Sequence, residues 1–219
     1  KRLYVLTRQR RPDGQLNIHN STVMVTPTLA WGTSTWGGEQ IDAIKPPVRT
    51  LDILPMDAFR TEFMGRPWGL PAEFLVYEGQ PYFSRDVEAY TLLHGVLIRP
   101  GGDPAALERS SALWRLYDSF PFKDAMLYPY WNNADRLTCT PAGVYATAYE
   151  RRREGLLVFV SNLGDTAAET TLTLNLKAFD WRRIAVSDAF NGEPLAAAAG
   201  AVRFPLESWR YRVLRVKPE

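Results

Sequence analysis

Two carboxylates, Glu39 and Asp42, fall in one twelve-residue stretch, Trp31-Gly-Thr-Ser-Thr-Trp-Gly-Gly-Glu-Gln-Ile-Asp42, together with two tryptophans and three glycines. An indole offers a flat apolar face to the C–H side of a pyranose ring, and a carboxylate accepts hydrogen bonds from its hydroxyls. Glycines let the backbone approach a ligand closely. Trp31, Trp36, Glu39 and Asp42 therefore have the makings of a sugar subsite. Hydrolysis of a glycosidic bond needs two carboxyl groups, or one plus a group on the substrate. Glu39 is the candidate acid, and Asp42 either joins it or caps a following helix. Glu78, closing the run Ala72-Glu-Phe-Leu-Val-Tyr-Glu78, is a third pocket candidate.

The two histidines are His19, followed by Asn20 and Ser21, and His94 in Leu92-Leu-His-Gly-Val-Leu97. His19 and Asn20 are read as pocket residues. For His94 a pocket role and a satisfied core position stand side by side. Their spacing makes no HExxH-type metal signature, and neither a metal nor another cofactor is expected.

These residues need elements to hold them. Leu3–Thr7, Thr22–Pro27, Ala72–Glu78 and Thr91–Ile98 read as buried strands. Met56–Gly65 has Met56, Phe59 and Phe63 at helical spacing, and Asp103–Phe120 has Pro104 in its first turn and an apolar face of Leu107, Leu113, Leu116, Tyr117 and Phe120. Strands alternating with helices predict an α/β layout with parallel strands. Four strands over residues 1–122 are too few for a closed eight-stranded barrel of about 250 residues. The expectation is the C-terminal part of a (β/α)8-type barrel, completed by a missing N-terminal half or a partner chain, with a small open sheet as the alternative. Ligand chemistry then gathers where strands end, which places the Trp31–Asp42 stretch, as a loop after a strand, on the active rim. By the same reasoning Trp68, ahead of a strand, belongs to the opposite end.

From residue 123 the pattern turns all-β. Gly143–Asp165 reads as two strands joined at Arg151-Arg-Arg-Glu-Gly155, and Glu169–Leu176 alternates Thr with Leu. Asn191-Gly192 marks a turn, and Val202–Pro218 alternates Arg with apolar residues as another strand. Residues 123–219 are expected to form an antiparallel β-sandwich.

Composition narrows the partners. The net charge of the 219 residues is +2, which argues against nucleic acid or an anionic membrane as the main partner and leaves a carbohydrate substrate as the expected one. No apolar run is long enough to span a bilayer. The single cysteine, Cys139, excludes an intrachain disulfide and reads as a packed thiol. Compartment stays open, with a periplasmic or secreted protein expected if the parent chain carries a signal peptide.

Taken together, His19-Asn-Ser21, Pro27-Thr-Leu-Ala-Trp-Gly-Thr-Ser-Thr-Trp-Gly-Gly-Glu-Gln40, the Met56–Tyr77 segment and Leu92–Gly101 resemble the C-terminal half of a glycoside-hydrolase-like barrel. The resemblance is to proteins related to glycoside hydrolase family 123, and the tail resembles the β-sandwich that closes many barrel glycosidases. It implies retaining hydrolysis of an N-acetylgalactosaminide, in which the substrate's acetamido group attacks with help from an adjacent Asp and Glu. This sequence has no Asp-Glu pair, so that dyad is carried onto no residue here. The expected function is a carbohydrate-active glycoside hydrolase, with a non-catalytic sugar-binding or structural protein of the same fold as the alternative.

Overall fold

The computed structural model describes residues 1–20, 25–39, 50–64, 69–77, 84–101, 104–152 and 154–219. These form two compact units: Lys1–Val87 with His94–Leu107, and Glu88–Leu93 with Glu108–Glu219.

The first unit is α/β. Strands β1 (Asn17–His19), β2 (Ser34–Gly37), β3 (Ala72–Tyr77) and β4 (Leu97–Gly101) make a parallel sheet in the order β1-β2-β3-β4. Each strand thus pairs with its neighbour in sequence. Helices α1 (Arg2–Arg10), α2 (Thr26–Leu29), α3 (Thr50–Ile53) and α4 (Met56–Glu62) lie between and before them.

The two sheet faces differ. On one, Thr35, Phe74 and Ile98 are buried, and Phe74 meets Phe59 and Phe63 of the α4 segment at ring-centroid distances of 5.3 and 5.0 Å. On the other, the register aligns His19, Trp36, Glu73 and Leu97 in a row across all four strands, with Arg99 two residues further along β4. That face is mostly half-buried or exposed. A parallel sheet ordinarily has both faces covered; here the aromatic and charged face stands opposite the helix-packed one.

Several expectations change. Leu3–Thr7 is helical, inside α1, not a strand. A five-residue apolar run does not distinguish the two, and the flanking Arg and Gln residues favour a helix that ends on Arg8 and Arg10. Of the strand expected over Thr22–Pro27, residues 22–24 lie outside the described residues and Thr26-Pro27 open α2, with proline in the first turn. Thr91–Ile98 divides in two: Thr91 and Leu92 end helix α5 (Ser84–Leu92), the chain turns at Gly95 with φ 68°, and β4 starts at Leu97. The left-handed turn at glycine is an ordinary helix stop. The Trp31–Asp42 stretch is not one loop either, because β2 runs through its middle. Helix α6 (Pro104–Asp118) forms as expected and buries Leu113 and Leu116, but Leu107 is exposed.

The second unit holds two antiparallel sheets. One has the order β11-β10-β14-β8-β7-β5 and the other β12-β13-β9-β6. The strands are β5 (Met126–Tyr128), β6 (Leu137–Thr140), β7 (Val144–Arg151), β8 (Gly155–Asn162), β9 (Ala168–Leu174), β10 (Ile184–Asp188), β11 (Pro194–Leu195), β12 (Ala197–Ala198), β13 (Ala201–Leu206) and β14 (Arg210–Pro218). Leu156, Val158, Val160 and Leu214 of the larger sheet share one core with Leu172, Leu174, Val202 and Phe204 of the smaller. This is a sandwich. All eight residues of β8 are buried, because Phe159, on its other face, packs against Tyr149 and Tyr117 of α6. Burial on both sides explains why Leu156–Val160 of this strand reads as an unbroken apolar run. The single strand expected over Val202–Pro218 is two, β13 and β14. They break at Glu207–Trp209, where Trp209 takes φ 53°, and belong to different sheets.

Candidate functional site

β1 and β2 run side by side and end together. Asn20 extends the pairing, its backbone N–H donating to Trp36 O at 2.8 Å. One residue earlier, His19 lies opposite Trp36, and the rings stack with centroids 3.6 Å apart and planes 6° from parallel. Beyond the end of β2 the chain passes through Gly38 at φ 105° and brings Glu39 back over β1. Its Oε2 lies 2.8 Å from Nε2 of His19. A side chain at position 38 would meet the Phe74 ring and Leu75 O, so a glycine is required for Glu39 to reach this position. The two partners are part-exposed, at 41% and 39% of their side-chain surface.

On the far side of Trp36, the Arg99 guanidinium lies over the indole at 4.5 Å from the ring centroid, and its Nη1 is 3.8 Å from Oε2 of Glu73. The row His19, Trp36, Glu73 and Arg99 is thus linked by stacking, cation–π and charge contacts. Trp36 has His19 on one face and a guanidinium over the ring, so in this arrangement it meets a ligand through its edge. The Asn20 amide Nδ2 donates to Thr35 Oγ1, which in turn donates to Ile18 O at 3.2 Å.

The other residues singled out from the sequence lie elsewhere. Trp31 sits before β2, at the opposite strand end from Glu39. Its ring meets Tyr4 at 5.9 Å, with Lys1 Nζ 5.3 Å from its centroid. His94 sits in the turn ahead of β4 rather than within a strand, and is buried against Phe59 at 4.8 Å. Asp42, Glu78 and Trp68 lie outside the described residues. Glu73 and Arg99 were missed, although each is a polar residue at an alternate position of an otherwise apolar strand, the signature of a face turned from the core. Among the described residues no group of three or more His, Cys, Asp and Glu is placed to hold a metal ion. Nor is any helix among them long and apolar enough to cross a membrane.

This arrangement can bind and orient a hydroxylated ligand. The carboxylate of Glu39 and the imidazole of His19 sit at the carboxyl end of a parallel sheet, where α/β proteins gather their chemistry.

Comparison with known proteins agrees with the architecture. The chain superimposes on an alpha-amylase from Anoxybacillus (TM-score 0.60, 10% identity, covering 100% of this chain and 55% of that one). It also superimposes on a maltogenic alpha-amylase from Thermotoga neapolitana (0.58, 11%, 98% and 58%) and a family 27 β-L-arabinopyranosidase from Geobacillus stearothermophilus (0.56, 10%, 99% and 61%). At such identities the likeness is one of fold, and the chain spans little more than half the length of these structures. No curated protein matches it in sequence. Residues 109–190 match the family described as Glycoside hydrolase 123, C-terminal domain. Over that segment the chain is similar to the C-terminal domain of glycoside hydrolase family 123.

Proposed function

We propose that this chain is the later part of a carbohydrate-active glycoside hydrolase. Residues 1–122 supply the C-terminal part of a (β/α)8-type barrel and residues 123–219 its β-sandwich, and Glu39 is the acid that protonates the departing glycosidic oxygen. The observation that carries this reading is the pairing of His19 with Glu39 at the C-terminal ends of two adjacent parallel strands. A sheet whose strands follow one another in sequence order, with helices against one face and charged and aromatic residues on the other, is what a segment of such a barrel would present. His19 and Asn20 flank the acid, and the Trp36 edge borders the sugar. Asp42 and Glu78, which follow β2 and β3 in sequence, are the candidates for the second carboxyl group. Trp31 and His94, at the other strand ends, act through packing. An N-acetylhexosaminide is the substrate to try first, on the resemblance to family 123.

The test is Glu39→Gln in the intact protein, assayed on a panel of aryl glycosides that includes N-acetylhexosaminides. General acid catalysis contributes about 10²- to 10⁴-fold, so kcat/KM should fall at least about a hundredfold. An unchanged value removes Glu39 from the mechanism. The absence of an adjacent Asp-Glu pair favours the second reading, a sugar-binding protein without turnover. Calorimetric binding of amino sugars by an intact protein that cleaves none of the panel would select it.

A further inference from the structure

The β-sandwich carries an open groove of about 880 Å³, within the range of small-molecule sites. It runs along β5, the first residues after α6, and the turn Leu176–Trp181. Three aromatic rings line it: Tyr128, Phe179 and Trp181. Phe179 and Trp181 are stacked at 5.0 Å, and Tyr128 packs edge-on to Phe179 at 5.9 Å. Asp180, between the stacked pair, takes the left-handed conformation at φ 58°, which puts consecutive aromatic positions on the same wall.

The charged lining is evenly matched. Lys123, Arg136 and Arg152 stand against Asp124, Glu150 and Asp180. A site built for a phosphate or sulfate would carry a surplus of cations, and one built for a metal ion a surplus of carboxylates. This one sets as many cationic as anionic side chains beside aromatic surface, which suits a ligand that is uncharged, rich in hydroxyls and apolar on its C–H faces.

The walls are also held in place without a ligand. Tyr128 Oη donates to Glu150 Oε2 at 2.6 Å. The Arg136 guanidinium lies 4.8 Å from the Tyr128 ring centroid and 5.4 Å from that of Phe179, and it donates to Ala178 O. Side chains fixed in advance lose little freedom on binding, which favours affinity.

We propose that this groove binds a neutral oligosaccharide, as a second carbohydrate site separate from the His19–Glu39 rim. The inference does not depend on catalysis at that rim. It gives the sandwich a role in holding a glycan chain.

The test is affinity electrophoresis of the 219-residue chain through gels containing soluble starch, arabinoxylan, galactomannan or glycol chitin, with heparin as an anionic control. At least one neutral polymer should retard the chain and heparin should not. Trp181→Ala should weaken the retarding interaction about tenfold. Because Trp181 also touches the sandwich core, the double variant Asp124→Ala/Arg152→Ala, confined to exposed rim positions, provides a second measure and should weaken it at least about threefold with an unchanged circular dichroism spectrum. Glu39→Gln should leave retardation intact. The proposal is overturned if no neutral polymer retards the chain, if heparin alone does, or if Glu39→Gln abolishes retardation while both groove variants retain it.

Discussion

His19 lies flat on Trp36, ring centroids 3.6 Å apart, while its Nε2 reaches Glu39 at 2.8 Å. The candidate acid is thereby tied to a strand residue through an intervening ring. If Trp36 sets the height of His19 and His19 the direction of Glu39, the indole acts on the site without touching the reacting atoms. Trp36→Ala should destabilise the first unit by about 1–2 kcal/mol, the worth of one aromatic stack and one part-exposed cation–π contact. Trp36→Phe should recover most of it. Thermal denaturation of both variants checks the order.

The same linkage separates positioning from proton transfer. In the intact protein His19→Ala should lower kcat by about tenfold, well short of the loss from Glu39→Gln, with KM little changed. Equal losses in the two variants would mean that His19 itself moves the proton.

Gly155 opens β8 at φ 126°, and a β-carbon there would lie 2.1 Å from Val216 O on the neighbouring strand. Backbone cannot yield as a side-chain tip can. Gly155→Ala should therefore cost about 2–4 kcal/mol in chemical denaturation, through strain and a lost ladder bond between β8 and β14. The exposed turn residue Arg152, replaced by Ala, should change stability by less than about 0.5 kcal/mol.

Burial pushes the Cys139 thiol from 9.0 up to about 12. In the folded protein the thiolate of this half-buried side chain is much scarcer at pH 8 than that of a free thiol, so iodoacetamide should label it far more slowly before unfolding than after. The sign of the linkage follows. Between pH 9 and about 12 the folded state keeps a proton that the unfolded state releases, so stability falls as pH rises through that window. Mass spectrometry of samples alkylated with and without urea measures the protection.

Tyr128 is also raised, from 10.0 to about 12, first by burial and then by its hydrogen bond to Glu150. Glu150→Gln removes the charge and leaves the burial. The phenol should then titrate at a lower pH than in the parent protein but still above 10, followed by ultraviolet absorbance. A return to the ordinary value would assign the whole shift to the carboxylate.

The sandwich was legible because its strands show their surroundings in their composition. Leu156–Val160 is apolar throughout because it is covered on both sides, and Ala168–Leu174 alternates because one side is wet. Helices α4 and α6 announced themselves by spacing. The parallel sheet was harder to read. Ser34-Thr-Trp-Gly37 has no apolar run to mark it as a strand, and its place depends on pairing with β1 and β3, which no local pattern encodes. With β2 unseen, Trp31 and Trp36 looked like neighbours on one loop, although the strand carries them to different ends. Glu39 and His19 were each found by residue type. That they meet depends on strand register, and so do Glu73 and Arg99.

β2 has a further consequence, through Gly37. A β-carbon added to Gly37 would stand 3.4 Å from the Phe63 ring and 3.2 Å from Asn20 O. Sliding this four-residue strand by one position would turn Trp36 toward that side, where an indole has no space, and would expose Thr35 in its place. The smallest residue on one side and the largest on the other make the strand a key that enters its slot in a single orientation. An insertion or deletion between Gly32 and Ser34 would therefore be rejected by sterics before any loss of chemistry was felt.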